Sequence, residues 1–401
     1  MIKELKIKTK FNINNYSLLF CITYLFFMNS SFYFSSFPAL SPVYLIFYII
    51  FPIIIYGLLK NTLNKIPYSS LIGICLVLYL VIFQFIVGGK PIAILGSAAT
   101  FLFYIFGTLL FPKFSHNKVV LIANGVLFVS LILGFVDTIY RLSLVGFNIN
   151  SLLINFYDIK KQCIFYADTN SLAINTTILT FYSIYMFNLL KNKKYIVYSF
   201  LFTIITFLSC SRSAIFATII TFFILYGLKI LKYLKNSKTS ILNINAISLK
   251  RSFYYFNILI TIIILSFVLF KIILFLATDA SFSTKIDLFE ALFNFINSAP
   301  IINLLFGTGY NNGGISLYSN LSYAHTYLAT YVIETGVCGY ILVTTFLLSI
   351  IYKTPKALIL FIPFFILGIS HISHTQLHPF YTVLALMWYF ENFYKKERKY
   401  K

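Results

Sequence analysis

Residues 11–59 contain no Asp, Glu, Lys, Arg or His. That uncharged run is long enough for two membrane-crossing helices of about 20 residues each. In hydrocarbon every backbone polar group must be satisfied internally, so only helices and closed barrels span. Runs of this length select helices. The rest of the chain agrees: 60% of its 401 residues are hydrophobic and only 10% are charged, against about 25% charged in soluble domains. An all-α polytopic integral membrane protein is predicted. The first apolar run follows a basic N-terminus but is not followed by a small-residue cleavage site, so it reads as a retained span.

Apolar runs between charge clusters predict about twelve transmembrane helices in one membrane domain covering 1–401. They fall near 16–34, 40–59, 68–88, 92–111, 119–139, 170–190, 195–209, 213–229, 255–276, 326–351, 357–373 and 378–393. The run 195–209 is the weakest, and Ser209-Cys-Ser-Arg-Ser213 forms a sharp bend into the next. With both termini placed inside, alternation collects 24 of the 31 basic residues on the inner face. The outer face keeps seven basic residues and seven of the ten acids, so the whole net charge of +21 lies inside. That charge is therefore an orientation signal, and it argues against nucleic acid as a partner. Lysines of a basic inner loop at about 230–254 need only face water and lipid headgroups.

Two outer loops are substantial, about 140–169 and about 277–325. The second, between spans 9 and 10, begins the longest interruption of the apolar pattern, Ser281–Tyr340. It opens with Ser281, Lys285, Asp287 and Glu290, passes through an amphipathic turn, and reaches the bend Gly307-Thr-Gly-Tyr-Asn-Asn-Gly-Gly. Such a segment must lie outside the bilayer or line a wet cavity. Long loops carry function, so this one is expected to be the working end. Its glycines match neither GxGxxG nor a Walker loop, and no strand precedes them. A turn that lets backbone approach a substrate suffices.

Arg212, in LSCSRSA, sits between two apolar runs near the outer surface. Arginine near membrane depth is costly and defaults to a functional reading, and its planar fork suits phosphate oxygens. The plainer reading is an arginine snorkelling to the headgroups. His325, where the long loop re-enters the membrane, suits a general base near neutral pH, or a polar helix-entry residue. Asp168 and Asn170, in FYADTNSLA, read as an N-cap pair. Glu334, inside the tenth span, is expected to pair with a cation or face the cavity. Arg141, Lys160 and Lys161 add positive charge to the first outer loop. The five cysteines are scattered without metal spacing, and a Cys163–Cys210 pairing has little support. His371, His374 and His378 lack a carboxylate and meet Pro379, so a polar lip of the outer cavity is preferred to a metal site.

Three segments in order resemble the Wzy-type polysaccharide polymerase and O-antigen ligase family. They are FYADTNSLA, LSCSRSA, and STKIDLFEALFNF…LLFGTGYNN…AHTYLATYVIETGVCGY, together covering about 160–350. The resemblance implies a GT-C-like, metal-independent glycosyltransferase of the bacterial inner membrane that needs no cofactor. Its substrate would be an undecaprenyl-diphosphate-linked oligosaccharide, handled at the periplasmic face among membrane lipids, with a chain-length regulator and a flippase as partners. His325 and Arg212 would be catalytic; Arg141, Lys285, Glu334, Asp168 and Asn170 would bind substrate. Lys285 stands where the family often has arginine, which weakens bidentate phosphate binding there. The expected activity is O-antigen polymerisation onto the next lipid-linked repeat unit. A ligase acting on lipid A–core, or a flippase for the same lipids, is the alternative.

Overall fold

The structure is a computed structural model that describes residues 66–148, 159, 162–166, 168–236, 280–321, 326–370 and 378–399. Among these residues it is helical, with no strand. The helices are α1 (Tyr68–Ile86), α2 (Pro91–Leu110), α3 (His116–Leu144), α4 (Thr169–Leu190), α5 (Lys194–Leu208) and α6 (Arg212–Asn236). Next come α7 (Ala280–Ser298), α8 (Ile301–Phe306), α9 (Tyr327–Lys353), α10 (Leu358–Ser370) and α11 (His378–Lys399). Five of them, α1 to α4 and α9, are long and apolar enough to cross a membrane. Lys194–Leu208, Arg212–Gly227 and Pro355–Ile369 are shorter apolar helices. The expected spans 16–34, 40–59 and 255–276, and the basic loop from 237 onward, lie outside the described residues.

Helices α2 and α4 form the interior and α1, α3 and α9 the periphery. Helix α4 is the least hydropathic of the five yet among the most buried, because its polar residues are satisfied inside protein rather than turned to lipid. Thr176, Thr180 and Ser183 donate to carbonyls one turn back. Thr176 also meets the Thr206 hydroxyl of α5 at 2.7 Å, and Thr177 meets Thr218 of α6 at 3.3 Å. Hydroxyls of this kind, with small residues, let membrane helices approach and bond. Helix α2 packs on α11 with Gly107 against Ala385, where a Cβ would come within 2.6 Å of the alanine methyl.

Side-chain contacts sort the connections into two ends. At one end Tyr195 donates to Asn124 at 2.8 Å, Lys356 pairs with Glu391 at 2.6 Å, and the Tyr394 hydroxyl lies 3.4 Å from His116 Nε2. Lys191, Lys193, Lys194, Lys353 and Lys356 cluster around these contacts, so this is the basic end. At the other end the α1–α2 turn meets the long loop through the Lys90 N–H and Tyr310 O at 2.9 Å. The α5–α6 turn meets α3 there as well. This second end is the loop end.

The segment expected as an amphipathic turn is instead the 19-residue helix α7. Its residues Leu288, Ala291, Leu292 and Phe295, at helical spacing, are buried against Ala329, Val332 and Ile333 of α9 and Ile315 of the loop. The opposite side divides: Ile286, Phe289, Phe293 and Ile296 are exposed apolar residues, while Asp287, Glu290, Asn294 and Asn297 are exposed polar ones.

Candidate functional site

Helix α9 is not one straight helix. It starts as a single α turn at Tyr327, passes through a π turn over Thr330–Glu334, and breaks at Gly336 (φ 71°, ψ 177°) before continuing. The freed carbonyls are taken up by the glycine-rich loop. Thr308 N–H donates to Ile333 O at 2.9 Å, Thr308 Oγ1 to the same oxygen at 3.1 Å, and Gly309 N–H to Glu334 O at 3.1 Å. Tyr79 of α1 closes the set by donating to Thr335 O at 2.6 Å. Irregular backbone at membrane depth survives only when other protein groups satisfy it, and here they do.

The glycines follow from this contact. A Cβ on Gly307 (φ 84°) would lie 2.2 Å from Glu334 O, and one on Gly336 would lie 2.3 Å from Leu305 O. The bend brings two segments of this chain together. Glu334 sits at the same junction, 2% exposed, with Oε2 accepting the Asn311 N–H at 2.9 Å. Tyr310, fully buried, bonds the Ser97 hydroxyl of α2 and ties the loop to the interior.

A second polar place lies where α3, α5 and α6 meet. Arg141, in the last turn of α3, is completely buried, so it does not add charge to a solvated loop as expected. Its Nη2 donates to Leu208 O at 3.3 Å, the same carbonyl to which the Cys210 thiol donates at 3.7 Å. One turn earlier Asp137, also fully buried, accepts the backbone N–H groups of Ile164 (2.7 Å) and Phe165 (3.0 Å). That clasp draws the loop segment Gln162–Tyr166 onto α3 and sets Cys163 within electrostatic reach of Arg141. Burial, with the Asp137 charge second, pushes the Cys163 thiol up to about 12. Burial raises the Cys210 thiol as well. Both cysteines are free thiols.

The remaining expected residues fall as follows. Asp168 caps α4, accepting from Ser171 N–H at 2.7 Å and Ser171 Oγ at 2.6 Å, with Asn170 half-buried in the first turn. Its charge reaches Cys163, which places it in the Arg141 neighbourhood. Arg212 is the first residue of α6 and is exposed, one turn from the carbonyl that Arg141 holds. Lys285 is half-buried on α7. His325, His371 and His374 lie outside the described residues. Sequence reasoning missed Asp137 and Tyr310, although an aspartate one turn before an arginine in an apolar run was a legible signal.

Compared with known proteins, the chain matches no family model, no curated protein and no solved structure.

Proposed function

We propose that this protein is a membrane-embedded polysaccharide polymerase of the Wzy type, working with its loop end at the periplasmic face. It moves a glycan from undecaprenyl diphosphate onto the next lipid-linked repeat unit. The observation that carries the reading is the position of Arg212, an exposed residue at the start of α6 beside the α5–α6 turn. Helix α5 has only 15 residues and rises about 22 Å, short of a roughly 30 Å hydrocarbon core, so a turn at its loop end would lie below the membrane surface. A guanidinium at that depth suits the leaving diphosphate, whose charge it neutralises as the glycosidic bond breaks. His325, just ahead of the buried Thr326, is the base that takes the acceptor hydroxyl's proton. Helix α7 supports the reading through its three-sided pattern, which suits a helix lying between headgroups and the bundle.

The test is deletion in the native host with gel analysis of the surface polysaccharide. A single repeat unit on the lipid core supports the polymerase. Long chains retained on undecaprenyl diphosphate indicate a ligase instead, and repeat units held on the inner leaflet a flippase. With purified protein and lipid-linked repeat unit, His325→Ala and His325→Gln should both lose about 10²–10⁴-fold in transfer while still binding donor. Full activity in His325→Gln removes it as the base.

A further inference from the structure

We propose that α7 and α8 form an elbow that docks on lipid. It seats at the acyl–headgroup boundary of the leaflet at the loop end, by apolar contact and not by attraction to anionic headgroups. Helices α7 and α1 are both 19 residues long, but of the two only α1 is apolar enough to cross a membrane. The difference lies in how the residues of α7 are arranged. Leu288, Ala291, Leu292 and Phe295 face the bundle. At about 100° per residue, the exposed Ile286, Phe289, Phe293 and Ile296 lie roughly 130° round from them, and the exposed Asp287, Glu290, Asn294 and Asn297 roughly 100° further. Two apolar sectors and one polar sector call for three neighbours: protein, lipid and water. A helix lying in the plane of the interface has all three.

The apolar sector continues past the bend at Ala299-Pro300 into α8, whose Ile301 and Ile302 are 76% and 61% exposed. Helix α8 is fixed to the loop end of α1. The Phe306 ring stacks on Phe83 with centroids 5.6 Å apart and planes 3° from parallel, and Gln84 Nε2 donates to Phe306 O at 2.9 Å. The last turn of α1 exposes Ile82, Phe85 and Ile86 there, so the elbow extends the surface that a membrane-crossing α1 turns to lipid. It does not belong deeper. The first N–H groups of α8 have no intrahelical partner and need water or headgroups, as do the Asp287 and Glu290 carboxylates. Lys285, half-buried, is the one basic residue on either helix, while both of those acids are exposed. The elbow therefore gains nothing from anionic lipid, and its binding comes from buried apolar area. Helix α8 runs directly into Gly307, whose backbone lies against that of Glu334, so the elbow also sets where the junction with α9 lies relative to lipid. It stands on exposure and packing, whatever reaction the loop end performs.

The experiment uses the full chain in phosphatidylcholine nanodiscs, one copy per disc, and reads tryptophan fluorescence. Trp388, the single tryptophan, is first removed by Trp388→Phe. Phe293→Trp, Ile302→Trp and Asn297→Trp are then made one at a time. Lipid brominated high on its acyl chains should quench Phe293→Trp and Ile302→Trp severalfold more than Asn297→Trp. Acrylamide in the aqueous phase should give the reverse order. Replacing part of the phosphatidylcholine by phosphatidylglycerol should leave these ratios unchanged. If Phe293→Trp is not recovered, Phe289→Trp and Ile296→Trp report on the same sector. Strong acrylamide quenching at positions 293 and 302 would place the face in water. Quenching by neither agent would mean that another part of this chain, such as residues 237–279, covers it. Either result overturns the docking, as does lipid quenching at 293 without quenching at 302. Lipid quenching that grows with phosphatidylglycerol overturns the apolar mode of attachment.

Discussion

Asn311 donates its backbone N–H to Glu334 Oε2 at 2.9 Å, across 23 residues of chain. This bond ties the tip of the glycine-rich loop to α9 at the place where that helix is broken. The loop end is therefore built around a helix discontinuity and not around a flexible excursion.

Removing the acceptor should loosen the loop. Glu334→Ala takes away the acceptor of the Asn311 N–H, on a residue that is itself exposed, which costs about 1 kcal/mol. The measurement is melting in detergent combined with limited proteolysis over residues 308–321, where cleavage should accelerate. Glu334→Gln keeps an acceptor of similar length and should lose less. Equal protease resistance in the alanine variant would remove Glu334 from this role.

Gly336→Ala should be far more damaging than its chemistry suggests. Its φ of 71° disfavours a side chain, and the new Cβ would press on Leu305 O at 2.3 Å. A loss of about 2 kcal/mol or more is expected. Gly227→Ala, where nothing lies within 4 Å, should leave stability unchanged or slightly improved. Comparable melting temperatures for the two variants would contradict the close approach.

Arg212→Lys keeps the charge but loses the planar fork. Most polymer formation should disappear while membrane abundance stays normal. Near-full polymer in the lysine variant would reduce Arg212 to an interfacial anchor.

The Cys163 thiol should resist alkylation in the native protein. With its pKa pushed up to about 12 by burial, the reactive thiolate at pH 8 is scarce compared with a free cysteine, whose pKa is about 8.5. In a variant with Cys163 as its sole cysteine, maleimide labelling should be roughly 100-fold or more slower than after denaturation. It should keep rising with pH beyond 9. A plateau near pH 9 would contradict a buried thiol.

Orientation is open to a direct check. A reporter active only outside the cytoplasm should work when fused at Asn311 and fail at Asn236. The opposite pattern would turn the loop end to the cytoplasm and exclude periplasmic transfer.

Hydropathy alone pointed to a helical chain with segments long and apolar enough to cross a membrane, and among the described residues five helices meet that description. In the fold the lysine-bearing turns beside Tyr195 and Lys356 lie at one end of the bundle, where their side chains meet α3 and α11. The Asp168 cap was legible because an N-cap depends on residues three apart. What the tertiary structure decided depends on contacts across long stretches of chain. Glycine at 307 and 336 signals permissive backbone, but only the fold shows that each is required by the other's segment. Arg141 reads as a loop cation until the three-helix junction buries it, with the Asp137 carboxylate one turn away holding the backbone of residues 164 and 165. Periodicity reports which face of a helix is apolar; which neighbour covers that face, and which polar group it buries, is set by packing.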